Sequence, residues 1–145
     1  MRFVYTILLL IFLILNLAMP AMGEEPTSYL CIPDVSTGFK RNESDKWVAT
    51  RFDVQGQKFL LSKKAGKWQW QKFEERPIPN LLSECGTFNE HGFIRCVVVG
   101  SQITFSKDTL RFMEFHPFGY VISNIEAPKD YNLTPFITIG TCTPL

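Results

Sequence analysis

A single arginine followed by a thirteen-residue apolar run sets the conditions in which the rest of this chain must fold. Arg2 carries the charge, and Phe3 to Leu15 has Thr6 as its only clearly polar member. Asn16 and Pro20 then weaken the helix, and Ala21-Met22-Gly23 puts small residues at the two positions a signal peptidase reads. This order predicts a secretory signal peptide over residues 1–23. An uncleaved anchor is the alternative, but a spanning helix needs roughly 20 apolar residues. The run reaches that length only if Asn16 and Pro20 are tolerated. A lipoprotein signal needs a small residue before the modified cysteine, and bulky Leu30 precedes Cys31. The mature chain is therefore expected to be exported, periplasmic or extracellular, and not membrane-spanning.

Cleavage leaves residues 24–145, 122 in all, which suits a single β-domain with a real core. Arg2 is lost with the leader, so 14 basic residues face 14 acidic ones. That balance gives no general attraction to nucleic acid or to an anionic membrane. All four cysteines, Cys31, Cys85, Cys96 and Cys142, follow the leader. An even count in an oxidising compartment predicts two disulfides. Three pairings are open. The preferred one joins Cys85 to Cys96 across a short loop and Cys31 to Cys142 across the whole domain. A zinc site is the rival reading, but no C-x-x-C pair is present and the spacing is wide.

Beyond the leader no long segment has helical period. Trp47 to Val54 alternates, with Val48, Thr50, Phe52 and Val54 on one face. Lys58 to Lys63 and Lys67 to Phe73 read as strands, joined by Lys64-Ala65-Gly66, whose glycine favours a tight hairpin turn. The prolines of Arg76-Pro77-Ile78-Pro79-Asn80 interrupt any ladder and predict a loop. Leu81 to Cys85 is expected to make a brief helical turn. Further strands are expected at Phe93 to Val99, Gln102 to Ser106, Thr109 to Phe115, Phe118 to Ser123 and Thr134 to Cys142. Asn124 to Asn132 is the longest loop signal. The expected fold is all-β, a small antiparallel barrel or meander sandwich with disulfides.

Chemistry-bearing residues are few. The only histidines, His91 and His116, both sit at turn signals and lack the spacing of a metal pair. No phosphate loop, serine elbow or H-E-x-x-H motif occurs, and paired cysteines offer no nucleophile. Neither a cofactor nor an enzymatic activity is expected; a small hydrolase or isomerase is the remaining catalytic alternative. Such an enzyme would set His91 or His116 beside a carboxylate in a cleft. The most suggestive patch is Lys63, Lys64, Lys67, Trp68, Trp70 and Lys72, where lysines surround two tryptophans. It suits an anionic, ring-bearing ligand through charge and cation–π contact. The other reading puts both tryptophans in the core and leaves the lysines to solvate a turn or guard an edge. Asn42-Glu43-Ser44 and Asn132-Leu133-Thr134 match the glycosylation pattern, which matters only in a eukaryotic secretory pathway.

Several elements together resemble a family of small exported bacterial proteins of uncharacterised function. They are Cys31-Ile32-Pro33-Asp34 with Thr37-Gly38-Phe39, then Trp47 and Phe52, Leu110-Arg111-Phe112, Gly119-Tyr120, and Ile139-Gly140-Thr141-Cys142. The resemblance implies a bacterial source and a periplasmic address, and carries no catalytic residues with it. A looser similarity is to periplasmic lysozyme inhibitors, small disulfide-bearing barrels that insert a Ser- and Gly-rich loop into the enzyme's cleft. The nearest fragments here are Gly100-Ser101-Gln102 and Asp34-Val35-Ser36-Thr37-Gly38. The expected function is thus a non-enzymatic binding or interaction module for a cell-envelope glycan, lipid or protein. The alternative is an inhibitor of a cell-wall hydrolase.

Overall fold

The clearest local instruction in the chain is the turn Lys64-Ala65-Gly66-Lys67. Ala65 and Gly66 both have positive φ (48° and 80°), the backbone twist that closes a two-residue hairpin. On either side, β3 (Phe59–Lys64) and β4 (Lys67–Lys72) pair in register from Lys64↔Lys67 to Phe59↔Lys72. The structure is a computed structural model describing residues 25–73, 83–98, 100–121 and 134–145. The expected signal peptide, the 76–80 and 124–132 loops and the second glycosylation pattern lie outside them, apart from Thr134.

Among the described residues the remaining strands are β1 (Ser28–Arg41), β2 (Trp47–Phe52), β5 (Glu84–Cys85), β6 (Phe93–Val98), β7 (Ser101–Ser106), β8 (Arg111–His116) and β9 (Phe136–Pro144). Every pairing is antiparallel. The sheet runs β4-β3-β1-β9-β8-β7-β6-β5, with β2 also on β1. It curls into a nearly closed barrel that brings β4 beside β5. At this seam a side chain replaces the backbone ladder. The Trp70 N–H donates to Ser83 Oγ, and the Ser83 hydroxyl donates to the Trp70 carbonyl. Ser83 is 1% exposed, so both peptide groups are satisfied away from water.

Two elements differ from the sequence expectation. Glu84 and Cys85 form a strand rather than the end of a helical turn, because their register partners are Val97 and Cys96. Residues 118–121 form a turn rather than a strand. A third element, β1, carries no alternation that would announce it. Pro33, Asp34 and Gly38 interrupt its pattern, yet at 14 residues it is the longest strand in the sheet. Its register on β9 shifts between Pro33 and Val35. Asp34 is the extra residue of a bulge, and one extra residue exchanges the faces of the strand. Tyr29, Cys31 and Pro33 are buried before it, Ser36 after it.

Inside, the layers follow the register. Pro33, Gly140, Phe112, Phe105 and Ile94 form one cross-strand row. A Cβ at Gly140 would lie 2.3 Å from the Ile32 carbonyl oxygen and 2.5 Å from the Phe112 ring, so only glycine admits that ring here. Against this row pack Tyr29, Leu61, Trp68 and Trp70. Tyr29 lies 4.8 Å from Phe105, and Trp70 lies 5.1 Å from Phe112 and 5.3 Å from Phe59, centroid to centroid. Both disulfides form in the preferred pairing, Cys31–Cys142 and Cys85–Cys96, each between directly opposed residues. Two such bonds indicate an oxidising, non-cytoplasmic environment.

Candidate functional site

The bulge in β1 also opens the barrel. The first half of β1, Ser28–Cys31, pairs with β3; the second half, from Ser36 to Arg41, pairs with β2. The two neighbours therefore diverge from one strand, and a cavity of about 410 Å³ lies where they part. The β2–β3 connection forms its lip. Asp53 accepts the Gln55 N–H at 2.9 Å, and the Gln57 N–H donates to the Val54 carbonyl at 3.1 Å, which fixes this short loop.

The polar wall is a continuation of the same register. The row above the apolar one reads Ser36, Thr138, Glu114 and Ile103; the next reads Gly38, Phe136 and His116, with Ser101 hydrogen-bonded to His116. The Thr138 hydroxyl donates to Ser36 Oγ at 2.8 Å, and both residues are 4% exposed. Glu114 is half-buried beside them. The aromatic wall is Phe52, Phe59 and Phe136, with Phe52 and Phe136 edge-to-face at 6.4 Å. His116 stacks on the far side of Phe136 at 4.9 Å.

Burial pushes the Glu114 carboxyl above its ordinary value, and the Ser101 hydroxyl beside it works in the opposite direction. Burial also lowers the His116 pKa. Ser101 Oγ lies 2.9 Å from His116 Nδ1. Ser101 therefore stands between a carboxyl that resists ionising and an imidazole that resists protonation. Ser101 is 6% exposed, and its oxygen is engaged by His116. The arrangement orders hydrogen-bond donors and acceptors behind the cavity.

A pH dependence follows. A carboxyl whose folded pKa is raised contributes stability fully present below its unfolded pKa, about 4.3, and lost as pH rises through the folded value. Glu114→Gln is therefore expected to leave stability near pH 4 little changed and to raise it at neutral pH. His116 acts in the other direction: its contribution is full above about 6.5 and falls on acidification through its folded pKa. Urea melts of both proteins across this range check the point. An equal or lower stability of the glutamine variant at neutral pH would contradict the burial of Glu114.

The residues singled out from sequence are dispersed. Trp68 and Trp70 are 8% and 3% exposed and belong to the core, whereas Lys63, Lys64 and Lys67 are exposed around the β3–β4 turn. The two indoles and these lysines do not form one surface patch. Lys72 has the inward parity of Trp68 and Trp70 and reaches the cavity wall. Trp47 lies elsewhere, 5.7 Å edge-to-face from Tyr120 with the Arg41 guanidinium over its ring. His91 is an exposed turn residue whose N–H donates to Asn89 Oδ1. Asn42 is likewise occupied, its Oδ1 accepting the Ser44 and Lys46 N–H groups across the β1–β2 turn. Gly100 belongs to a tight β6–β7 turn with φ 79°, with Ser101 pointing inward, and Asp34–Gly38 is built into β1. Among the described residues no group of three or more His, Cys, Asp or Glu is placed to hold a metal, and no helix is long and apolar enough to cross a membrane.

Glu114, Ser36 and Thr138 escape sequence reading because three separate strands bring them together. One signal is present: Glu114 and His116 share the parity of buried Phe112. Compared with known proteins, the chain matches no family model, no curated protein and no solved structure.

Proposed function

We propose that this chain is an exported, non-enzymatic binding module of the periplasm or extracellular space. Its cavity takes a small, neutral, hydroxyl-bearing ligand with an apolar face, the chemistry a cell-envelope glycan unit presents. The observation that carries this reading is the composition of one cavity: Glu114, Thr138 and Ser36 on one wall and three phenylalanine rings on the other, with Asp53 and Lys72, of opposite charge, also in its lining. The Glu114 carboxyl, whose pKa burial raises, accepts from ligand hydroxyls when ionised and both donates and accepts when protonated. Aromatic faces accept the C–H face of a ring while excluding water. About 410 Å³ lies toward the small end of ligand cavities, enough for one or two sugar rings.

The test is a calorimetric titration of the oxidised chain with a panel of neutral mono- and disaccharides, including N-acetylated ones. Saturable binding is expected for at least one. Glu114→Leu, which removes both donor and acceptor, should weaken it by about tenfold, the scale of one lost hydrogen bond to a buried group, and Phe136→Ala by a similar factor through the lost ring face. Replacing Lys63, Lys64 and Lys67 by glutamine should leave it unchanged. Absence of saturable binding across the panel would refute the reading, as would binding that needs the three lysines and ignores Glu114.

A further inference from the structure

The side of β8 and β9 that faces away from the cavity is exposed yet apolar. An antiparallel sheet normally turns polar side chains to water on its outer face. Here Met113 stands opposite Ile139, and Phe115 opposite Ile137. All four are between 42% and 50% exposed. Their outer cross-strand neighbours are the uncharged Val35 and Thr37 of β1 and Gln102 and Thr104 of β7; charge begins one place further out, at Arg111 beside Met113 on β8, Arg95 opposite Thr104 and Arg51 opposite Thr37. At one end it stops at Arg111 and Asp34, which separate it from Ile32. At the other it runs into a cleft of about 490 Å³ that Phe115 shares with Phe39, Trp47 and Tyr120.

We propose that this face is the interface of a homodimer, covered by the same face of a second copy. Three observations select that occupant. The first is area. The strip with Phe39, Tyr120 and Val121 presents on the order of 700 Å² of exposed surface, close to one partner's share of a standard interface. A contiguous apolar patch of that size exceeds what monomers ordinarily leave in water. The second is charge. The centre of the strip carries no charge, so two copies meet there without repulsion, and the exposed arginines that border it, Arg51, Arg95 and Arg111, stand at the polar rim an interface ordinarily has. The third is shape. A two-fold axis sets the same patch against itself, and two sheet faces pack readily with interdigitated side chains. The interface and the cavity then occupy opposite sides of the same two strands.

Sedimentation equilibrium of the oxidised chain, recovered from an exporting host, tests this. The expected result is a concentration-dependent mass reaching twice that of one chain. Met113→Lys with Ile137→Lys should raise the dimer dissociation constant at least about a hundredfold, with an unchanged thermal melt of the monomer because both residues are exposed. If that pair disturbs folding, Ile137→Thr with Ile139→Thr keeps strand-forming residues and should still weaken the dimer at least about tenfold. A monomer at every concentration overturns the proposal. So does a dimer indifferent to both pairs of substitutions. Hydrogen exchange showing the strip covered by residues 122–133 of its own chain overturns it, as does a monomer that pellets with neutral lipid vesicles through these residues.

Discussion

Removing Cys31–Cys142 is expected to lower stability by about 5 kcal/mol, and removing Cys85–Cys96 by about 3. The difference comes from the unfolded chain. The first bond spans a sequence separation of 111 and the second only 11, so the first denies the denatured ensemble far more freedom. Alanine at both positions of a pair keeps the buried sites apolar; Cys31 is 0% exposed and Cys142 5%. Against a typical domain stability of about 5–15 kcal/mol, the longer bond is a large share of the total. Its loss strikes the middle of the sheet, where β1 joins β9. The shorter bond has a local role: β5 is two residues long and pairs with β6 through Glu84 and Cys85, with one more hydrogen bond from the Gly86 N–H to the Arg95 carbonyl. Its removal should first expose the Ser83 seam to hydrogen exchange. Urea denaturation of the two double variants decides the matter. Equal losses, or a larger loss from the shorter loop, would show that native contacts rather than chain entropy dominate.

Trp70→Ala should cost about 3–5 kcal/mol, the range for truncating a large buried aromatic. Trp70 stacks on Phe59, tilts against Phe112 and faces Leu61 across the hairpin, so its removal empties the centre of the core. Its own backbone also carries the Ser83 hydrogen bonds that close the barrel, so a shift of β4 loosens the seam as well. The contrast is with the neighbouring lysines. Replacing Lys63, Lys64 and Lys67 by glutamine should change stability by no more than about 0.5 kcal/mol, as exposed positions do. Denaturant melts compare the two sets directly. A Trp70→Ala loss below about 1 kcal/mol would mean that the indole is not a core element.

The sequence itself determined the elements whose causes are local. The β3–β4 hairpin was legible because a glycine-bearing turn and two flanking strands lie within fourteen consecutive residues, 59–72. The disulfide count was legible, but the preferred pairing was one of three left open, and the register of β1 on β9 and of β5 on β6 decided it. The all-β class followed from short runs of β-branched and aromatic residues between turn signals. What the sequence left open, only the tertiary structure decided. β1 was invisible because its inward set changes parity at Asp34, and a periodicity test fails on a strand with a bulge. Trp68 and Trp70, with the alternation of an exposed aromatic patch or of a core strand, became core once β4 closed against Ser83. The candidate cavity needed Ser36, Glu114 and Thr138 from strands far apart in the chain, in adjacent register positions. Likewise Met113 and Ile139 became one outer strip only through the pairing of β8 with β9. Alternation specifies which side chains share a face. Which face is buried, and what stands opposite it, is set by long-range register, and register is a property of the assembled sheet.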